Sequence, residues 1–173
     1  RQELLGLLIL EGEFERAVLL AEEMLAQDDR WFPALVQKQQ ACYELDRAQE
    51  VVDLFDRAKE LQIRYAPIYE LAAKVFIDYE QYEQAQRILQ QAEEEKLESF
   101  GLDLVRLYFE REQCETRESF VKLLKQAKRW RRKFEKEHAS KREMAELYYE
   151  MAILEDCKSY DGFGYLGKAG EYM

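Results

Sequence analysis

Few residues in this chain could carry nucleophilic or metal chemistry. His138 is the only histidine, so two histidine ligands for a metal are not available within one chain. A cysteine nucleophile would need Cys42, Cys114 or Cys157 to meet His138, and no local motif indicates that arrangement. We therefore expect no catalytic centre and no bound metal, and we interpret His138 as an exposed turn residue.

The cysteines also bear on the compartment. They are three in number, widely spaced, and include no Cys-x-x-Cys pair. This pattern is not that of a disulfide framework, and it is typical of proteins in a reducing compartment. We expect thiols that lie buried or half-buried on helices, in a cytoplasmic protein.

A glycine motif near the end of the chain has the spacing of a dinucleotide-binding loop. Residues 162–167 read Gly-Phe-Gly-Tyr-Leu-Gly. That motif needs a buried strand before it and a helix after it. Residues 154–161 have an acidic, helical pattern instead. We therefore predict no cofactor, and a loop or loosely helical chain end at this position.

Positive charge is concentrated in one segment of an acidic chain. Residues 122–142 contain ten Lys or Arg and two Glu, whereas the whole chain has a net charge of −10 and the remainder therefore −18. A helical wheel places an apolar stripe on one side of this segment. The basic residues on the opposite face are Lys125, Arg129, Arg132 and Lys136.

Three interpretations of this basic face stay open. It could be a solvated helix surface that pairs with acidic residues of the same protein, or it could dock an acidic partner protein. It could also contact the phosphates of nucleic acid or an anionic lipid surface. The overall negative charge opposes binding to a phosphate backbone, which makes nucleic acid the less favoured partner.

Composition predicts a soluble helical protein. Apolar residues make up 47% of the 173 residues and charged residues 36%, with only 7 Gly and 2 Pro. The longest apolar run, residues 4–10, is far shorter than the roughly 18 residues of a membrane span. The chain begins at Arg1, already inside a helical pattern, and we interpret it as a piece of a longer protein.

A short motif recurs along the first half of the chain. It consists of a large apolar residue, two polar residues and alanine, and it occurs at 14–17, 45–48 and 82–85. The alanines lie 31 and 37 residues apart, an average of 34. A period of this length with a helix on each side is typical of arrays of helical hairpins.

Helical spacing of apolar residues predicts ten helices in five pairs. Pro33 and Pro67 fall in first turns, where the missing N–H has no cost. A frayed final segment is expected over 160–173. The other predicted helices span 1–11, 14–27, 31–44, 46–62, 66–79, 82–95, 98–111, 115–137 and 140–157.

The residues at these positions resemble the tetratricopeptide repeat family over about residues 1–97. The match in the third pair comprises Tyr69, Ala72, Ala73, Phe76, Tyr82, Ala85, Leu89 and Ala92. In the first pair it comprises Leu4, Leu5, Leu8, Gly12, Phe14, Ala17, Ala21 and Met24. In the second pair it is looser and comprises Phe32, Leu35, Val36, Gln39, Leu45, Ala48, Val52 and Phe55.

The resemblance implies an all-α fold, a right-handed α-solenoid of antiparallel helix pairs. We expect about five hairpins, with three tetratricopeptide-like pairs in residues 1–97 and degenerate or capping pairs of the same solenoid in 98–173. A truncated array would expose an apolar end face, which leaves self-association open.

The resemblance also implies a binding surface, because this family binds peptides on the concave face lined by the first helix of each pair. The candidate peptide-binding residues carried over by position are Arg30, Gln37, Gln40, Glu70 and Lys74. Chaperone adaptors of the family hold a C-terminal carboxylate with Lys, Arg and Asn. The corresponding places here hold Gln2, Gly6, Ala34, Pro67 and Leu71, so we predict that this clamp is absent.

The sequence thus favours a non-catalytic protein-interaction module or scaffold that binds a peptide or partner protein on its concave surface. Two alternatives belong to other classes. The chain could be the adaptor or regulatory part of a larger co-chaperone or enzyme, or it could be a ribonucleoprotein component that uses the basic helix at 122–142.

Overall fold

The chain folds into α-helices alone over the part that the computed structural model describes, residues 1–159, of which 80% are helical. The all-α prediction is confirmed for this part, whereas the predicted final segment and the glycine motif at 162–167 lie outside the described residues. The helices are α1 (Gln2–Leu10), α2 (Phe14–Gln27), α3 (Phe32–Glu44), α4 (Ala48–Glu60), α5 (Ala66–Asp78), α6 (Tyr82–Glu94), α7 (Phe100–Glu112), α8 (Arg117–Lys136) and α9 (Lys141–Ser159).

The turns inside the first three helix pairs share one geometry. Gly12 has a φ of 75°, and Asp46 and Glu80 each have a φ of 57°, the left-handed conformation that ends many helices. These three residues are 34 positions apart in both steps. In each turn the next amide donates to a carbonyl five residues back: Glu13 to Leu8, Arg47 to Cys42 and Gln81 to Phe76.

The turns that follow the second and third pairs also share one geometry. Gln62 and Lys96 both have a φ of 57° and lie 34 residues apart. The amides that follow them, Ile63 and Leu97, donate to the carbonyls of Ala58 and Ala92, at 2.9 Å in both cases. The turn after the first pair differs, since the equivalent residue Asp28 is extended, with a φ of −147°. Most turns of α1–α6 therefore follow a 34-residue period, as expected for a helical repeat.

This period corrects the predicted register of the second pair. The residue equivalent to Ala17 and Ala85 is Val51, not Ala48: all three have 0% exposure, whereas Ala48 is only half-buried. Phe32, one of the matched positions of the second pair, is 46% exposed. The motif at 45–48 misled the prediction because it has the right residue types three positions too early, at the turn itself.

Small side chains hold these helices together. Each first helix packs on the next first helix, α1 on α3 and α3 on α5, and α2 and α4 pack on the first helix that follows them. The alanines that line these contacts let the helix axes approach closely, and the fully buried ones include Ala17, Ala21, Ala34 and Ala41.

The chain divides into two compact units, Arg1–Leu102 and Asp103–Met173. In the second unit α8 packs against α9, around the buried side chains of Leu123, Phe134 and Leu147. None of the helices in residues 1–159 has the length and apolar character needed to cross a bilayer.

The last three helices begin differently from the first six. Helices α1–α6 have no side-chain cap. In contrast, a Ser or Thr hydroxyl accepts a backbone N–H at the start of α7, α8 and α9, which satisfies a donor that the helix leaves open. The acceptors are Ser99 (2.9 Å), Thr116 (3.2 Å) and Ser140 (3.2 Å).

Candidate interaction surface

Two of the predicted peptide-binding residues occupy equivalent places on neighbouring first helices. Gln40 on α3 and Lys74 on α5 are 34 residues apart, and both are half-buried. Because α3 and α5 contact each other, these side chains lie on one face of the repeat array. The equivalent residue of α1 is Gly6. The amide of Gln40 donates to Glu44 Oε1 one turn further along α3, at 2.5 Å.

Gln37 is directed at α1 instead. Its Nε2 would lie 3.6 Å from a Cβ added to Gly6, an ordinary van der Waals distance. Its Oε1 is buried and has no hydrogen-bond partner within residues 1–159. Gln37 therefore fills the space that the missing side chain of Gly6 leaves between α1 and α3.

Glu70 contacts residues at the start of α7. Its carboxylate accepts a hydrogen bond of 2.6 Å from the hydroxyl of Ser99. It also contacts Gly101 so closely that a Cβ there would collide with it. A negative charge at this end of a helix is favourable because the first N–H groups point toward it. Glu70 thus positions α7, a role that the sequence did not indicate.

Arg30 lies in the exposed turn between α2 and α3. Its backbone amide donates to Asp28 Oδ1 at 3.0 Å, a local bond that shapes this turn. Of the five predicted residues, Gln40 and Lys74 therefore share a surface, whereas the described contacts tie Gln37 and Glu70 to other helices.

A pocket of about 220 Å³ opens at the C-terminal ends of α3 and α5. Two hydrogen bonds cross it between the second and third pairs: Tyr43 donates to Asp78 at 3.0 Å, and Tyr79 donates to Asp46 at 3.2 Å. The Asp46 carboxylate raises the pKa of the Tyr79 hydroxyl. The lining residues are Tyr43, Glu44, Asp46, Ala48, Val75, Asp78 and Tyr79.

The residues that line this pocket are not among the five predicted peptide-binding residues. A signal did exist, because a period of 34 counted from Gly12 places turns at Asp46 and Glu80, with a tyrosine near each one. The motif at 45–48 concealed this signal, because it places Ala48 where the 34-residue period places Val51.

The charge of the chain is divided unevenly between the two units. Residues 1–102 contain 22 acidic and 11 basic residues, a net charge of −11, whereas residues 103–173 contain 14 acidic and 15 basic residues. The unit that holds the pocket therefore carries the negative charge of the molecule. Such a field attracts cationic partners and repels anionic ones.

The basic face predicted on α8 exists as a line of exposed side chains. Its four residues follow one another at spacings of four, three and four, which covers about 16 Å along the helix. Within the described part of the chain none of the four forms an ion pair. We call this set, Lys125, Arg129, Arg132 and Lys136, the cation row.

Other cations of α8 are paired within the molecule. Lys128 contacts Glu155 of α9 at 2.7 Å, and Lys133 contacts Asp103 of α7 at 3.0 Å. Arg131 lies 3.6 Å from Glu135, one turn along α8. The helix thus carries three self-paired cations, whereas the cation row faces solvent, as do Arg117 and Lys122 near the start of α8.

Two of the three cysteines have thiols whose pKa is raised. Cys42 is fully buried, and burial, with a smaller contribution from Glu50, raises its pKa to about 11. Burial also raises the pKa of Cys157. His138 is exposed in the turn after α8, with a φ of 59°. No group of three or more His, Cys, Asp or Glu in residues 1–159 could hold a metal ion.

The chain was compared with models of known protein families, with curated proteins and with solved structures. None of the three comparisons finds a significant match.

Proposed function

We propose that this chain is a non-catalytic protein-interaction module of the tetratricopeptide type. The observation that carries the proposal is the 34-residue period of the left-handed turn residues Gly12, Asp46 and Glu80. Tetratricopeptide repeats have this length and are built from helix pairs. We extend the proposal to a right-handed solenoid of about five pairs, the last of them degenerate.

The proposed binding surface is the face of α3 and α5 that carries Gln40, Lys74 and the pocket beside Tyr43 and Tyr79. First helices form the concave face in this family, and the two equivalent positions support the same use here. Tyrosine side chains suit such a surface, because a flat ring provides apolar contact while its hydroxyl provides a hydrogen bond.

The partner segment that fits this surface carries lysine or arginine. The pocket is lined by the carboxylates of Glu44, Asp46 and Asp78, and its unit has a net charge of −11. The same charge disfavours the acidic C-terminal tails that chaperone adaptors bind, in agreement with the absence of the clamp residues. The free cysteines support a reducing, cytoplasmic setting for this proposal.

Selection from a library of displayed random peptides tests the proposal. We expect peptides selected on the wild-type chain to be enriched in Lys and Arg. Their affinity should fall about tenfold or more when Glu44→Gln and Asp78→Asn remove two charges from the pocket. The matched control, Asp56→Asn with Glu93→Gln, removes the same charge from exposed positions of α4 and α6 and should change affinity less than about twofold.

Two results would overturn the proposed site. In one, the selected peptides lack basic residues; in the other, the control variant weakens binding as much as the pocket variant. Far-UV circular dichroism of every variant separates a loss of binding from a loss of fold.

A further inference from the structure

We infer that the cation row of α8 is a second docking surface and that it binds an acidic helical segment of a partner protein. This surface belongs to residues 103–173 and is independent of the α3–α5 surface in both position and charge. The inference therefore does not depend on the function proposed above.

The cation row forms no ion pair in the described part of the chain. Two acids of the neighbouring helices are already used, since Glu155 pairs with Lys128 and Asp103 pairs with Lys133. Glu118, in the first turn of α8, lines a surface pocket together with Lys125 but forms no ion pair with it. Like charges four residues apart on a helix repel one another and oppose helix formation. An external anion would remove that repulsion.

The residues of the cation row lie in a nearly straight line on one face of α8, because they fall at i, i+4, i+7 and i+11. Acidic residues at the same spacing on a partner helix have the same rise per residue. Two helices laid side by side can therefore form several ion pairs at once.

The surroundings of the cation row favour a protein partner over nucleic acid. Proteins that bind single-stranded nucleic acid combine positive charge with aromatic rings on which bases stack. The aromatic residues of α8 lie on the side away from the row: Phe134 is fully buried, and Phe120 and Trp130 are half-buried. The row offers charge without stacking, which suits carboxylates on a helix better than a chain of bases.

Fluorescence anisotropy with defined probes tests the inference on the full chain. The probe is a labelled helical peptide of Ala and Gln with Glu at i, i+4, i+7 and i+11, beside the same peptide with Gln at those places and a labelled oligouridylate. The row variant is Lys125→Gln, Arg129→Gln and Arg132→Gln. The control variant, Lys128→Gln, Arg131→Gln and Lys133→Gln, removes the same charge from self-paired positions of the same helix.

We expect the glutamate peptide to bind the wild-type chain and to lose at least about tenfold in affinity with the row variant. The control variant should retain affinity within about twofold, and the glutamine peptide should not bind. Circular dichroism reports the fold of each variant, and the single change Arg132→Gln gives a milder version of the row variant that should lose affinity in part.

Three outcomes would overturn the inference. Equal losses with the row and control variants would mean that only the diffuse charge of the unit matters. Tighter binding of oligouridylate with the same dependence on the row would assign the surface to nucleic acid. Absence of binding by the glutamate peptide at low salt would leave the row as solvated surface.

Discussion

Left-handed backbone at residues other than glycine is the clearest feature at the residue scale. Five turns in the described part of the chain place a side chain in this conformation, which costs about 1 kcal/mol or more per residue. The repeat tolerates the cost because each turn closes two hydrogen bonds at the end of a helix. The residues are Asp46, Gln62, Glu80, Lys96 and His138.

Replacing one of these residues with glycine should stabilise the protein. We expect Gln62→Gly to raise the free energy of unfolding by about 0.5–1 kcal/mol, because glycine adopts a positive φ without a steric penalty. The same substitution at Gln86, an exposed position inside α6, should lower it by about 1 kcal/mol. Urea unfolding of both variants measures the two changes. Destabilisation by Gln62→Gly would contradict the turn geometry.

Burial of Cys42 predicts a stability that falls at high pH. Its pKa rises from 9.0 to about 11 in the folded state. Below pH 9 both states keep the proton, so the thiol makes no difference; as the pH rises from 9 to 11, the unfolded state loses the proton first. The wild type should therefore lose about 2–3 kcal/mol relative to a Cys42→Ala variant over this range.

Denaturant unfolding at several pH values measures this difference between the two proteins. Stability curves that run parallel from pH 9 to pH 11 would mean that the Cys42 thiol keeps its ordinary pKa in the folded protein.

Gln39 is a buried polar residue whose replacement by an apolar one should be tolerated. It has 0% exposure; its Nε2 donates to the carbonyls of Val51 (3.1 Å) and Ile68 (3.2 Å), and its Oε1 has no partner within residues 1–159. Gln39→Met keeps the volume and removes the unsatisfied oxygen, so it should change stability by less than about 1 kcal/mol. Gln39→Ala should lose about 2 kcal/mol or more through the cavity that it leaves.

Thermal unfolding of the Gln39→Met and Gln39→Ala variants compares the contribution of the Gln39 hydrogen bonds to stability with that of its packing. If Gln39→Met proves as harmful as Gln39→Ala, the two hydrogen bonds between helices contribute more than the packing does.

At the scale of elements, a partly buried ion pair joins α7 to α9. Arg111 and Glu150 meet at 2.7 Å, and their side chains are only 18% and 13% exposed. Burial lowers the pKa of Arg111, but Glu150, Glu112 and Tyr108 together raise it by more, so the guanidinium stays charged. Replacing Glu150 would leave this poorly solvated guanidinium with one carboxylate, that of Glu112 at 2.7 Å, instead of two.

We therefore expect Glu150→Gln to lower the free energy of unfolding by about 2–3 kcal/mol. The control is Glu135→Gln, which removes an exposed acid that lies 3.6 Å from Arg131 on α8 and should cost less than about 0.5 kcal/mol. Chemical denaturation followed by circular dichroism measures both. Equal, small effects would show that water screens the Arg111–Glu150 pair as it does a surface pair.

The sequence sufficed for the helices but not for the register of the second pair. Pro33, Pro67 and Gly12 mark helix boundaries directly, and apolar spacing supplied the rest. The turns at Asp46 and Glu80 gave no such mark, because a left-handed conformation is visible in sequence only where glycine occupies it. The motif at 45–48 decided the predicted alignment of the second pair instead, and that alignment is three residues too early.

The candidate site was predictable only in part, because some of its contacts join residues that are far apart along the chain. Gln40 and Lys74 occupy equivalent positions of the repeat, so their spacing of 34 residues was enough to place them on one face. The engagement of Glu70 by Ser99, 29 residues away, depends on where α5 meets the start of α7. No local pattern carries that information.

At the scale of the whole molecule, the two units carry different charge and different candidate surfaces. The unit of residues 1–102 is strongly acidic and repetitive, whereas the unit of residues 103–173 is nearly neutral and carries the cation row. Partners of opposite charge would thus be held by separate parts of one chain.

Photo-cross-linking shows whether a bound peptide lies on the α3–α5 face. Benzoylphenylalanine replaces Gln40 on α3 in one protein and Gln86, a glutamine on the second helix α6, in another. Each is irradiated with a peptide selected on the wild-type chain. The account predicts a cross-linked product from position 40 and none from position 86. A product from position 86 alone, or equal yields at both positions, would contradict it.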